Sequence, residues 1–225
     1  SSFWTHPVQK GICRGIANLS DALVSNRLRS AEILKKMTGG REAVHLPVFS
    51  NVGEPQALAP VKDRERRLVL FGGTELRRKA LCQDLGSLQA ACKGWGITEG
   101  IEIGPGTTPD REIGIPWRKL GALPAGEVSD WLDGSLLGFL SYPSTYLEKS
   151  TVFAAYAAHG VVPILPDACM KKDTLGLRPA LHYLSSSHPD GGDTKLHKVG
   201  TAVYDWYQDH RCNRQSEVFS HLIFP

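Results

Sequence analysis

No apolar stretch in these 225 residues approaches the roughly 20-residue length that a bilayer-spanning helix needs, and no signal peptide opens the chain. Cysteine is sparse: Cys13, Cys82, Cys92, Cys169 and Cys212 are scattered, odd in number and form no Cys-x-x-Cys pair. Neither a disulfide framework nor a zinc site is expected from them, and a reducing, cytoplasmic setting is. Histidine spacing offers no His-Glu-x-x-His or other metal pattern. His45, His159 and His210 stand apart, and a lone histidine at a helix end is first of all a packing or capping group. Both Gly-x-Gly-x-x-Gly and Gly-x-x-x-x-Gly-Lys-Ser/Thr are missing, which argues against a nicotinamide-cofactor fold and a P-loop. Charge of one sign is scarce too. The net charge is +3, and the one basic cluster, Arg64, Arg66 and Arg67 with Arg77, Arg78 and Lys79, flanks a single strand, so no nucleic-acid partner is expected.

What is present is an ordinary globular composition, 41% hydrophobic and 22% charged, in a length that suits one α/β domain or one domain and part of another. A first residue of Ser rather than Met suits a processed start or a piece of something longer. Residues 22–26 form a short apolar segment. Leu28, Ala31, Ile33, Leu34 and Met37 then recur near helical spacing until Gly39-Gly40 stops the helix. Residues 45–55 suit an extended segment ending in a turn, and Pro55 and Pro60 bracket a linker, which sets a boundary near residue 60.

Beyond that boundary strands and helices alternate. Strands are predicted at 67–71, 100–103, 117–120, 136–141 and 161–165. One helix carries Leu76, Ala80, Leu81, Leu85, Leu88 and Cys92, and others cover 127–132 and 150–159. Continuous apolar strands separated by helices predict an α/β fold with a parallel, Rossmann-like sheet covered on both faces. Residues 167–194 are polar and loop-like, and Leu196, Val199, Val203, Trp206 and Tyr207 stripe a closing helix. Trp206 and Tyr207 are assigned to the core. The organisation expected is 1–60, 61–195 and 196–225.

Two turns could carry chemistry. Gly72-Gly73-Thr74 follows a strand and opens a helix, where free N–H groups and a partial positive charge attract anions; Arg77, Arg78 or Lys79 could pair with a diphosphate there. Alone, this is equally a plain strand-to-helix turn. The second lies between Ser141 and Leu165: a strand end, a Pro143-Ser144 loop, then Glu148-Lys149-Ser150-Thr151 at a helix start, a small-residue helix and Gly160. Lys149 with the N–H groups of Ser150 and Thr151 makes a second anion site, and two such sites on neighbouring strand ends suit a diphosphate. Glu148 and Asp167 are the acidic groups within reach.

This second segment resembles the donor-binding signature of retaining, nucleotide-sugar-dependent glycosyltransferases of the two-domain GT-B type. Residues 46–55 resemble their interdomain linker, 68–73 the first strand and turn of their C-terminal domain, and 203–210 their closing helix. The resemblance covers most of residues 20–215. It implies transfer of a sugar from a nucleoside-diphosphate sugar to an acceptor, without a metal or other cofactor, this chain supplying the donor-binding half and an N-terminal domain supplying the rest. Contact with a membrane surface, as many relatives make, is left open; residues 212–225 carry no clear basic amphipathic signal. The pattern departs in two respects, the first being that Lys149-Ser150-Thr151 stands where the family has a glycine-rich turn. Counting back from Gly160, the family's two glutamates fall on Leu147 and Ala155, and the second is the one that grips the donor ribose. A non-catalytic GT-B-like binding domain and a sugar-nucleotide epimerase, which shares the architecture, therefore remain alternatives.

Overall fold

The computed structural model describes residues 6–171 and 176–224; residues 172–175 of the expected 167–194 loop lie outside them. The N-terminal part holds α1 (Pro7–Leu19), β1 (Val24–Ser25), α2 (Leu28–Met37) and β2 (Val44–His45), with β1 and β2 paired in parallel. Helix α2 matches its predicted span, and Gly39 and Gly40 (φ +73° and +112°) end it as only glycine does cheaply. Helix α1 was not foreseen. Its apolar residues Val8, Ile12, Ile16 and Leu19 face outward, so its period follows no core of this chain.

The main unit contains β3 (Glu65–Phe71), α3 (Thr74–Cys82), α4 (Leu85–Gly94), β4 (Glu99–Ile103), β5 (Trp117–Gly121) and α5 (Ala125–Asp133). It continues with β6 (Ser135–Phe139), α6 (Thr151–Ala158), β7 (Val162–Leu165), β8 (Leu184–Ser185), α7 (Gly192–Gln208) and α8 (Cys212–Ile223). The single helix expected over 76–92 is two. Its stripe is continuous, but the chain breaks at Gln83-Asp84, where Asp84 accepts a hydrogen bond from Ser141 Oγ.

The six strands lie in the order β5-β4-β3-β6-β7-β8, all parallel. Every residue of β6 and β7 is buried, as the unalternating apolar runs predicted. One core lies against α5, α6 and the later part of α7 and a second against α3, α4 and the first part of α7, so both faces are covered. This is a Rossmann order. The chain runs outward from β3 through β4 to β5, crosses back, and continues from β6 on the other side. Neighbouring strands β3 and β6 thus send their outgoing loops to opposite faces, and a crevice opens at their carboxyl ends.

Helices α7 and α8 return to the N-terminal part. Ser50 N–H donates to the Tyr207 hydroxyl (2.7 Å), which donates to Glu54 (2.5 Å), and Gln215 donates to the Pro47 carbonyl (2.5 Å). Among the described residues no helix is long and apolar enough to cross a membrane.

Candidate functional site

The crevice between β3 and β6 is bordered by the starts of α3 and α6. Gly72 has φ +128°, and a Cβ there would stand 2.9 Å from Val152 Cγ2, so the turn after β3 touches the first turn of α6. Gly73 caps α3 and has open space where a side chain would be. Ser150 caps α6, its hydroxyl accepting from Phe153 N–H at 3.2 Å, and Thr151 and Lys149 beside it are exposed. Two helix N-termini, with unpaired N–H groups and partial positive charge, therefore meet at one crevice. Thr74 lends its hydroxyl to the Pro105 carbonyl (2.7 Å), which pins the loop after β4 beside α3.

Of the nine residues singled out in the sequence, Gly72, Gly73, Thr74, Lys149, Ser150 and Thr151 border this crevice. Arg77 does not present its charge there, contrary to expectation. It is 2% exposed, and its three nitrogens donate to the Gly72 carbonyl, Glu102 and the Pro105 carbonyl. Arg78 points to solvent and pairs with Glu75 at 2.7 Å. Lys79, the third of that basic run, reaches the end of β6 and donates to the Ser141 carbonyl at 3.3 Å. Glu148 is buried and turned toward the N-terminal part, accepting from Leu28 N–H at 3.0 Å. The other basic residues are also occupied within the fold: Arg64 by three carbonyls, Arg66 by Asp193, and Arg67 by Glu65 and Glu99.

The histidines divide. His159 is wholly buried; its Nδ1 must carry the proton, since it meets the Ala155 carbonyl at 2.7 Å, and Nε2 accepts from the Ser129 hydroxyl at 2.7 Å. It packs, as expected. His45 and His210 are not isolated. Their rings lie 6.3 Å apart, His45 Nε2 is 3.1 Å from Glu148 Oε1, and His210 packs on Trp206, whose ring is 5.5 Å from Phe153. Residues far apart in sequence meet where α7 crosses the linker, a juxtaposition that no local spacing could signal.

Burial lowers the His159 and His210 pKa values below the ordinary 6.5, so folding favours their neutral forms. The stability this contributes is complete above the unfolded value and drains as pH falls through the folded one. The urea midpoint should fall between about pH 7.5 and about pH 5, and fall less steeply in His159→Gln. Equal slopes would show that His159 carries none of the linkage.

Asp167 and the end of β8 form another polar group: Asp167 accepts from the Ser185 and Ser187 hydroxyls, which holds its carboxyl below the usual range. His188 Nδ1 lies 3.5 Å from Ser185 Oγ. Here the serine donates to the acid instead of to the imidazole, so the group is not arranged as a nucleophile, base and orienting acid. Among the described residues no cluster of His, Cys, Asp or Glu is placed to hold a metal ion.

No family model and no curated protein matches the sequence. The fold does recur in solved structures. S. aureus TarM, in complex with fondaparinux, alpha-GlcNAc-glycerol and UDP, matches with a TM-score of 0.62 at 10% identity, over 97% of this chain and 47% of its own. An alpha-glucosyltransferase in complex with UDP gives 0.58 at 10% identity, over 93% and 68%. An E. coli structure, trehalose-6-phosphate bound with UDP-2-fluoro glucose, gives 0.59 at 11%, over 99% and 65%. This chain thus spans about half the length of TarM. At such identities the likeness concerns architecture. Together with the strand order, it shows that the chain has the fold of the GT-B glycosyltransferases, its six-stranded parallel unit fitting their C-terminal domain.

Proposed function

We propose that this chain is the donor-binding half of a glycosyltransferase that moves a sugar from a nucleoside-diphosphate sugar to an acceptor. The observation that carries the proposal is the meeting of the α3 and α6 N-termini at the β3–β6 crevice, with Lys149 exposed beside them. As the glycosidic bond breaks, negative charge develops on the departing diphosphate. Oriented N–H groups and a nearby ammonium stabilise that charge most where it is greatest, which lowers the barrier. Arg77 has no part in this reading, because its charge is engaged with Glu102 inside the fold, nor has Arg78, whose side chain points to solvent beside Glu75.

The acceptor side is assigned to an N-terminal domain. Support comes from surface that this chain leaves uncovered: Val8, Ile12, Ile16 and Leu19 on α1, and Phe219, Ile223 and Phe224 beside them in chemistry on α8 and just after it. The pair β1–β2 is also too small to be an independently stable sheet.

A non-catalytic binding domain is the second reading, and one observation favours it. Leu147 and Ala155, the positions of the two family glutamates, are 1% and 0% exposed and belong to the apolar core. The usual ribose contact is therefore absent.

Saturating UDP or GDP should raise the melting temperature, by about 2.7 kcal/mol of stabilisation at a hundred times the dissociation constant. Lys149→Ala should remove the shift. No shift with either nucleotide, in the full-length gene product as well as in this chain, sinks the donor reading. Binding without sugar transfer, hydrolysis or epimerisation in that full-length product selects the second.

A further inference from the structure

Tyr146 lies in the loop between β6 and α6 and is 37% exposed. Two cations gather on that ring. Arg27 Cζ is 4.0 Å from its centroid and Lys149 Nζ is 4.8 Å away. They arrive from different parts of the chain: Arg27 immediately precedes α2, two residues beyond β1, and Lys149 immediately precedes the cap of α6.

Neither cation has a carboxylate partner among the described residues, and Arg27 Nε is shut off from solvent without an acceptor. Glu148, next to Lys149 in sequence, does not neutralise them. Its Oε2 takes Leu28 N–H and its Oε1 faces His45. Tyr142 packs edge-on to Tyr146, at 6.5 Å between ring centroids, and adds a second phenol and no charge.

Two like charges gathered on one aromatic ring repel each other, a cost that an anion reaching both turns into attraction. A phosphate group suits the pair: its several oxygens take the guanidinium's parallel N–H groups and the ammonium together. We propose that Arg27 and Lys149, brought together at the Tyr146 ring, form a phosphate clamp spanning the N-terminal part and the loop that leads into α6. Val152, three residues beyond Lys149, touches Gly72, so the clamped phosphate sits at the edge of the β3–β6 crevice. The donor reading enters only in the source of the phosphate. A donor diphosphate and a phosphate carried by the acceptor offer the same chemistry.

Titration calorimetry of this chain with uridine, UDP, pyrophosphate and glycerol 3-phosphate separates the cases. The proteins compared are wild type, Arg27→Gln, Lys149→Gln and the double variant, with melting temperatures of the unliganded forms as the check on folding. Each single substitution should weaken phosphate ligands about tenfold or more and leave uridine unchanged. Arg27→Lys and Lys149→Arg, which keep the charge, should retain part of the affinity, and they carry the test where Arg27→Gln does not fold. Loss confined to UDP and pyrophosphate assigns the clamp to the donor; loss confined to glycerol 3-phosphate assigns it to the acceptor. If glycerol 3-phosphate needs both cations while UDP does not bind, the clamp stands and the donor reading fails. If UDP binds and neither it nor glycerol 3-phosphate distinguishes wild type from Arg27→Gln, the donor reading stands and the clamp is overturned. Equal affinities in wild type and the double variant, or no phosphate ligand bound by wild type, overturn it as well.

Discussion

Glu102→Ala is expected to cost the fold about 3–5 kcal/mol, read as a lower urea midpoint with unchanged slope. Glu102 lies in β4 at 1% exposure and Arg77 in α3 at 2%, and they form a buried ion pair. Glu102 Oε1 also accepts from the Thr108 hydroxyl at 2.6 Å. Arg77 donates in addition to the Gly72 and Pro105 carbonyls, which hold the turns after β3 and β4 together. The alanine variant keeps the guanidinium buried and removes its counter-charge, and an uncompensated buried charge is far costlier than the pair is beneficial. Arg77→Met combined with Glu102→Leu should therefore recover part of the loss, since it removes both charges and fills the space but leaves the Gly72 and Pro105 carbonyls without the guanidinium. A cost under about 1 kcal/mol, the range of exposed pairs, would mean that Arg77 reaches water, and would restore it as a candidate for binding anions.

That expectation bears on what the sequence made legible. Strands β3, β4, β6 and β7 are readable because burial leaves apolar residues at their centres, and β5 only by its place in the alternation, since as an edge strand it is largely exposed. Helices α2, α5 and α6 are readable by apolar residues that become buried. Helix α1 is equally legible and was not foreseen: Pro7 opens it and Val8, Ile12, Ile16 and Leu19 recur at helical spacing, although that stripe faces away from this chain. Strand β8, of two residues, is too short for any periodic signal, and the α3–α4 break is decided by a hydrogen bond to the distant Ser141. At the site, Gly72-Gly73-Thr74 and Ser150-Thr151 were legible because the strand-to-helix turn is local chemistry. The direction of a charged side chain is not local. Arg77 and Arg78 are neighbours in one basic run, yet one turns into the fold and the other to solvent. Arg27, a single arginine at the start of α2, gave no signal, since its meeting with Tyr146 and Lys149 depends on how the N-terminal part packs.

Tyr156→Phe is expected to cost about 1–3 kcal/mol and to shrink any stabilisation by UDP, both measurable by denaturation with and without nucleotide. The β3–β6 ladder runs as far as Val69↔Gly138, beyond which the strands part to open the crevice. The wholly buried Tyr156 hydroxyl fills that fork. It accepts from Phe71 N–H at 3.1 Å and shares its one proton between the Val69 and Phe139 carbonyls at 3.0 and 3.2 Å. Burial pushes the phenol well above its ordinary pKa, so it stays a neutral donor and acceptor. Phenylalanine preserves the ring and leaves Phe71 N–H and both carbonyls short of a partner at the root of the Gly72-Gly73 turn. Stability and the geometry of that turn are thus lost together. Gly138 is the matching half of the device, because a Cβ there would lie 2.6 Å from the Tyr156 ring. Gly138→Ala should cost about 1–3 kcal/mol as an overpacked core. Adding Tyr156→Leu to it should cost less than the two separate losses combined, since both act on one volume. A Tyr156→Phe loss within about 0.5 kcal/mol, the range of surface substitutions, would mean that water satisfies the fork and that the phenol does not hold the two strands apart.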